Sequence, residues 1–322
     1  MGKSMLDLVK ECDNFPYFED NPEHYTSLLS SYYIFKVNGC DAALGYIPQS
    51  VVERFFWIES EWKVDPTSRT VTLMAAPDAT PEARTEIMSR LLADAVRRDT
   101  FEVLKGWRHE MYPIYGPGGA YLLEMERSAS PLFGIATYGV HMTGYVQDDE
   151  GVKLWVARRS KTKQTYPGML DNTAAGGMST GEHPYACAIR EAAEEASIPN
   201  DVFSERAKPV GVITYFYVRD ARAGGETDLL QPEIEYIYDI RLDPSHAIKP
   251  CDSEVEDFRL WTVDEVKQSL SGGEWKPNCS MVIIDFLVRH GIITPDSEPD
   301  YLEIVARMHR RLPFPTASFK VR

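Results

Sequence analysis

Apolar positions recur along this chain in two rhythms, and the change of rhythm marks its elements. Tyr32-Tyr33-Ile34-Phe35-Lys36-Val37 is β-branched and aromatic and reads as a strand. Arg69 to Met74 reads as another, with Val71 and Leu73 alternating onto one face. Thr80-Pro81-Glu82 then has the grammar of a helix start, a capping hydroxyl followed by proline at the first helical position. Ile87, Leu91, Leu92 and Ala95 follow on one helical face, so residues 81–98 are expected to form an amphipathic helix covering a small sheet. Pro113 to Ala120 is rich in glycine and proline and reads as a turn-rich break, with Leu122 to Met125 as the last strand of a first unit.

A second unit begins near Ser130. Its strand candidates are Gly139–Val146, Lys153–Arg158, Val210–Val218 and Glu233–Arg241, and one helix at 184–197 lies between the second and third of them. Further helices are expected at 263–270 and 279–290. Strands enclosing a central helix predict an α/β (α+β) fold, a mixed sheet with helices packed on it. A single core rarely grows past about 250–300 residues. For 322 residues the expected division is therefore an α+β accessory unit, 1–128, and a second unit, 129–322.

Composition narrows the partners. The net charge of −15 argues against nucleic acid, which calls for clustered lysine and arginine, and against anionic membrane surfaces. No apolar run approaches the roughly 18 residues of a membrane span, and residues 1–20 lack a signal peptide's apolar core. Cys12, Cys40, Cys187, Cys251 and Cys279 are scattered without a CxxC pair, which fits a reducing, cytoplasmic compartment better than a disulfide framework or a zinc site. A small-molecule ligand is expected, bound to a monomer or homodimer. If that ligand carries phosphate, a cation has to stand between it and this acidic protein.

The chemistry concentrates in residues 176–198. Pro184 suits a first helical turn, which places Glu191, Glu194 and Glu195 at i, i+3 and i+4 on one face. Ala188, Ile189, Ala192 and Ala196 make a second, apolar face. Three neighbouring carboxylates, with Glu182 reaching in from the loop, repel one another, and Arg190 offsets only part of that charge. Oxygen donors of this kind suit Mg²⁺ or Mn²⁺. Gly176, Gly177 and Gly181 let the backbone come close and offer carbonyls to an ion. A glutamate-rich helix face is ordinarily only a solvated surface. Here the spacing resembles the Nudix box, Gly-x5-Glu-x7-Arg-Glu-U-x-Glu-Glu-x-Gly-U, where U is a bulky apolar residue. Gly176, Glu182, Arg190, Glu191, Glu194, Glu195 and Ile198 fall in register, while Ala192 is smaller than usual and Ser197 replaces the final glycine. A different helix exit is expected, because serine takes a positive φ less readily.

The resemblance implies a Nudix α/β/α sandwich and a metal-dependent hydrolase of diphosphates. It implies Glu191, Glu194 and Glu195, with the Gly176 carbonyl, as metal ligands, Glu194 and Glu195 foremost. It leaves Glu191 as a ligand or as the group that positions water, with Arg190 orienting it. Glu182 is expected to hold the loop by pairing with Arg190, and Gly177 to shape it. The segments Lys153–Lys163 and Tyr166–Asp171 resemble two branches, isopentenyl-diphosphate isomerase and a thiamine-diphosphate-associated branch. Phe101–Glu110, Ser130–Tyr145 and Lys276–Cys279 resemble the second, over roughly residues 10–310. Its members are understood to cleave thiamine diphosphate, and preferentially its oxidised analogues, to the monophosphate. An isomerase needs a cysteine motif before the box, where Asp171-Asn172-Thr173-Ala174 stands instead. The box is also compatible with a hydrolase of nucleotide-sugar or ADP-ribose type substrates and with a non-catalytic diphosphate sensor.

Outside the box, Arg158, Arg159, Lys161 and Lys163 form a basic patch suited either to substrate phosphates or to an ordinary solvated loop. Glu233 and Glu235 share one side of a strand and are candidates for a further ligand or base. His141 and Cys187 are weak catalytic candidates and Trp107, Tyr112 and Tyr138 could stack on an aromatic base, but all five are expected to be packed or hydrogen-bonded in the core.

Overall fold

The computed structural model describes residues 2–76, 78–246, 248–251 and 253–319. It opens with α1 (Met5–Cys12), closed by a capping box in which Ser4 and Asp7 exchange side-chain and backbone hydrogen bonds. After α2 (Pro22–Leu29) come β1 (Tyr32–Val37), β2 (Cys40–Pro48), α3 (Gln49–Val52), β3 (Trp62–Asp65) and β4 (Thr70–Leu73). The strands make a four-stranded sheet in the order β2-β1-β4-β3. α4 (Pro81–Arg97) lays Ile87, Met88, Leu91, Leu92 and Ala95 into one core with Phe35, Trp62, Val71 and Leu73, as its apolar stripe predicts.

The segment read from sequence as a break is instead half of a hairpin. β5 (Met111–Gly116) pairs antiparallel with β6 (Ala120–Glu126), and only Pro117–Gly119 turn. Pro113 is tolerated because a two-stranded ribbon consists entirely of edges. Gly118 and Gly119 supply the positive φ angles of the turn, 70° and 76°.

The remaining elements are α5 (Ser130–Phe133), β7 (Thr137–Asp148), β8 (Gly151–Arg159), β9 (Leu170–Asp171), β10 (Ala174–Gly177), α6 (Pro184–Ala196), α7 (Asn200–Arg206), β11 (Ala207–Val218), β12 (Leu230–Arg241), β13 (Val255–Thr262), α8 (Val263–Ser271), α9 (Pro277–Arg289) and α10 (Tyr301–Arg307). Their sheet runs β11-β12-β7-β8-β13, with β10 on β7 and β9 on β8. It is mixed, since β12 and β7 are parallel and the other pairs antiparallel. Side-chain alternation sends Tyr138, Val140 and Met142 of β7 toward α6, and Ile213, Tyr215 and Tyr217 of β11 toward α9. The sheet is thus sandwiched between helices.

The chain's start returns to this second layer. Leu8, Val9 and Cys12 of α1 are buried with Val266, Cys279, Ile283 and Ile304. Asp13 accepts the Phe216 amide at 3.0 Å and an Arg310 N–H at 3.0 Å, and Phe15 stacks on Phe216. Among the described residues, no helix is long and apolar enough to cross a membrane.

Candidate active site

α6 carries Pro184 in its first turn and buries Cys187, Ala188, Ala192 and Ala196 against the sheet. Small residues bring the helix axis close to the strands. Ala192, where a bulky group is usual, is fully buried, and Ile189 is only half-buried rather than part of the deep face. The exit keeps the geometry expected of glycine: Ser197 itself takes φ 54°, and its hydroxyl donates to the Lys249 carbonyl at 3.0 Å. The tertiary hydrogen bond offsets a left-handed conformation that costs an L-residue about 1–2 kcal/mol.

Arg190 organises the box carboxylates. Its Nε and Nη2 donate to the two oxygens of Glu182 at 2.9 and 3.0 Å, a bidentate pair. Its Nη1 reaches Glu191 at 2.7 Å and Glu194 at 3.1 Å. Burial works to raise the Glu182 carboxyl, but the Arg190 bonds outweigh it and hold it below the usual range. The three helix carboxylates are not equivalent. Glu191 and Glu195 turn inward, whereas the Glu194 side chain is 54% exposed at the rim. Burial, with repulsion from Asp171 and Glu191, pushes the Glu195 carboxyl up to about 8, although the Ala175 amide donates to it at 2.8 Å.

Two glycines make room for this packing. A Cβ on Gly176 would lie 1.9 Å from Glu191 Oε1, and one on Gly177 would lie 1.7 Å from the Tyr112 hydroxyl. Opposite them, Glu233 and Glu235 point the same way from β12. The Tyr215 hydroxyl lies between their carboxylates, close to Glu233 and 3.1 Å from Glu235 Oε1. A hydroxyl owns one proton, so both contacts are satisfied when Glu233 carries a proton and Tyr215 donates to Glu235. The environments agree. Burial and the neighbouring Glu235 raise the Glu233 carboxyl, whereas burial of Glu235 is outweighed by His141, which holds it down. His141 sits 3.6 Å from Glu235 and 2.7 Å from Asn172. Glu235 Oε2 is buried without a hydrogen-bond partner, and a Cβ on Gly139 would sit 2.3 Å from it and 3.0 Å from the Gly176 carbonyl.

Glu191, Glu194, Glu233, Glu235, His141 and the Gly176–Gly177 backbone line one cleft of about 640 Å³, walled on one side by residues 102–131 and on the other by the sheet, with Glu195 behind it. Eight lysines and arginines border it against seven glutamates, a near balance in a chain of net charge −15. The expected basic patch disperses. Arg158 donates to the Gly168 carbonyl at 2.9 Å, and Lys161 is 81% exposed beside Glu256. Arg159 borders the cleft but is buried and committed to Asp171 at 2.6 Å and to the Thr165 and Tyr166 carbonyls. Lys163, the fourth member of that patch, borders the cleft together with Lys276 and Arg127. Lys163 pairs with Glu254. Neither Lys276 nor Arg127 lies in a basic cluster, and only Lys276 falls in a segment that carries the resemblance. Tyr138 and Tyr112 are buried, and Trp107 is half-buried with its indole N–H on His109.

Among the described residues no three His, Cys, Asp or Glu side chains converge tightly enough to hold a metal unaided. Arg190 is the cation that now holds Glu191 and Glu194. The donors nevertheless are of the kind a hard divalent ion takes, all of them oxygens. Glu191 fills the space a Cβ at Gly176 would take, Glu195 borders the same strand, and the orphaned Glu235 oxygen shares the approach to the Gly176 carbonyl.

A profile described as NUDIX domain matches residues 137–280, and one described as Domain of unknown function (DUF4743) matches residues 4–137. The uncharacterized protein YJR142W of Saccharomyces cerevisiae is 41% identical over 239 residues, covering 72% of this chain and 70% of that protein. Nudix hydrolase 20, chloroplastic, of Arabidopsis thaliana is 37% identical over 234 residues, covering 72% of this chain and 59% of the plant protein, so much of that relative's length lies outside the match. Among solved structures, DR0079 from Deinococcus radiodurans aligns with 62% of this chain and 100% of its own, at 18% identity and a TM-score of 0.39.

Proposed function

We propose that this chain, whose residues 137–280 match the NUDIX domain, is a metal-dependent pyrophosphohydrolase that cleaves thiamine diphosphate or an oxidised (oxo or oxy) analogue to the monophosphate and inorganic phosphate. One observation carries the diphosphate reading. Glu191, Glu235 and the glycine loop meet in a cleft of about 640 Å³ whose positive and negative side chains nearly balance, inside a strongly acidic protein. Such a cleft accepts an anion that the rest of the surface repels.

Mg²⁺ or Mn²⁺ bound there would neutralise phosphate oxygens and lower the pKa of the attacking water. Glu191 and Glu195 would hold it with the Gly176 carbonyl, and Glu194 would serve from the rim. The chain's own residues do the rest. Arg190, locked by Glu182, fixes the Glu191 carboxylate with a charge-assisted bond. Glu235, which His141 keeps ionised, would accept the water's proton at its buried, unpartnered Oε2, while Tyr215 and His141 fix its other oxygen. The thiamine half rests on the resemblance of residues 101–110 and 130–145 to that branch, and on the first unit walling the cleft.

The test compares kcat/KM for thiamine diphosphate, its oxo and oxy analogues, ADP-ribose and isopentenyl diphosphate, with and without EDTA. The expected result is highest turnover with a thiamine compound, abolished by chelation. Far better turnover of ADP-ribose or isopentenyl diphosphate overturns the thiamine assignment, and full activity after exhaustive chelation overturns the metal.

A further inference from the structure

We infer that Arg127 is a phosphate-binding residue of this active site, delivered to the box by the hairpin that precedes the second unit. The inference rests on the diphosphate reading above and adds a contact that the box does not contain.

Arg127 is the first residue after β6, and its amide donates to the Glu110 carbonyl at 2.8 Å, which fixes the backbone. Its Nη1 donates to Glu110 Oε2 at 2.9 Å, and its guanidinium lies over the Tyr112 ring at 5.4 Å. The supporting hairpin is itself tied to the box loop. Ser179 donates to the other oxygen of Glu110 at 3.2 Å, and the Thr180 amide and hydroxyl donate to the Met111 carbonyl at 2.8 and 3.2 Å. The approach is close: a Cβ on Gly177 would come within 3.3 Å of the Arg127 guanidinium carbon. Gly177 adjoins Gly176, whose missing Cβ leaves the space that Glu191 occupies. Arg127 and Glu191 accordingly stabilise each other's charge.

The arginines that border this end of the cleft differ in what they have left to give. Arg190 spends its donors on Glu182, Glu191, Glu194 and the Cys187 sulfur. Arg159 spends its own on Asp171, Thr165 and Tyr166. Arg127 makes one side-chain bond among the described residues, and none of its nitrogens is sealed from the cleft without a partner. A planar guanidinium with its position fixed and its donors open binds two phosphate oxygens at once. Its place beside the box loop directs it to the diphosphate rather than to the organic half of the substrate.

The probe is methylenediphosphonate, a diphosphate that cannot be hydrolysed, titrated calorimetrically with Mg²⁺ into the full chain, alongside steady-state kinetics. Wild type should bind it. Arg127→Met should weaken binding at least tenfold and lower kcat/KM about a hundredfold, with an unchanged melting temperature and circular dichroism spectrum. Arg127→Lys should recover part of both, because a point charge remains but the bidentate fork is lost. If Arg127 only latched the hairpin, Arg127→Met would lower the melting temperature while the folded fraction bound the probe as wild type does, and the inference would fail. Equal binding by wild type and both variants also overturns it. Absence of probe binding by wild type overturns the diphosphate reading on which it rests.

Discussion

At the residue scale, charge is sorted by depth. The Nudix spacing was legible because i, i+3 and i+4 carboxylates must share a helix face, but spacing alone does not say which of them looks inward. Packing of Ala188, Ala192 and Ala196 on the sheet sets the rotation of α6, and that rotation buries Glu195, half-buries Glu191 and leaves Glu194 at the rim. The expected outcome is graded. Glu191→Gln and Glu195→Gln should each lower kcat at saturating Mg²⁺ by a hundredfold or more, and Glu194→Gln by clearly less. Removing one of several like charges should leave the metal-free fold at least as stable. Equal losses at all three positions would show that depth does not rank them. The same scale explains what was illegible. Lys276 and Arg127 are isolated in sequence, and only the meeting of α9, the hairpin and the box loop gives them a common cleft.

At the scale of elements, strongly periodic segments were readable and weakly periodic ones were not. α4, α6, β7, β11 and β12 follow their apolar rhythm within a few residues. β13 was missed because Glu256, Asp257 and Arg259 interrupt any alternation, as suits an edge strand that answers to one neighbour and to solvent. The junction of β12 and α9 is held by charge as well as by apolar packing. Asp239 accepts two bonds from Arg289 at 2.7 and 3.0 Å and faces His290 at 2.9 Å. Burial alone would raise the Asp239 carboxyl, but these partners outweigh it and hold it below the usual range. A depressed carboxyl stabilises the fold above its unfolded pKa, and that stability is lost as pH falls through the folded value. Asp239→Asn should therefore cost about 3 kcal/mol at neutral pH, the scale of breaking a buried pair. The gap to wild type should close as pH falls below about 4. Urea denaturation across pH measures this, and a gap that stays constant down to pH 3 would assign the loss to packing.

At the scale of the whole molecule, sequence order and spatial order part company at the beginning of the chain. The expected division at residue 128 followed a change in pattern, and an eight-residue helix is too short to reveal by periodicity where it will dock. In space, α1 lies between α8, α9 and α10, with Leu8, Val9 and Cys12 almost wholly buried, and Phe15 closes the far side against Phe216 and Arg310. Each such side chain contributes about 1.5–3 kcal/mol by burial, so four together approach the roughly 5–15 kcal/mol that holds a domain folded. The second unit should therefore depend on residues far from it in sequence. Deleting residues 1–15 should abolish cooperative unfolding of the sandwich, and a fragment of residues 129–322 should expose the α8–α9–α10 surface and aggregate. Leu8→Ala is the gentler arm and should cost about 2–5 kcal/mol. Hydrogen exchange on the Leu8→Ala chain locates the damage. Loss of protection confined to α9, α10 and β11 is expected, with the four-stranded sheet protected as in wild type. A deletion chain that melts where wild type does would show that α1 merely rests on a sandwich that is complete without it.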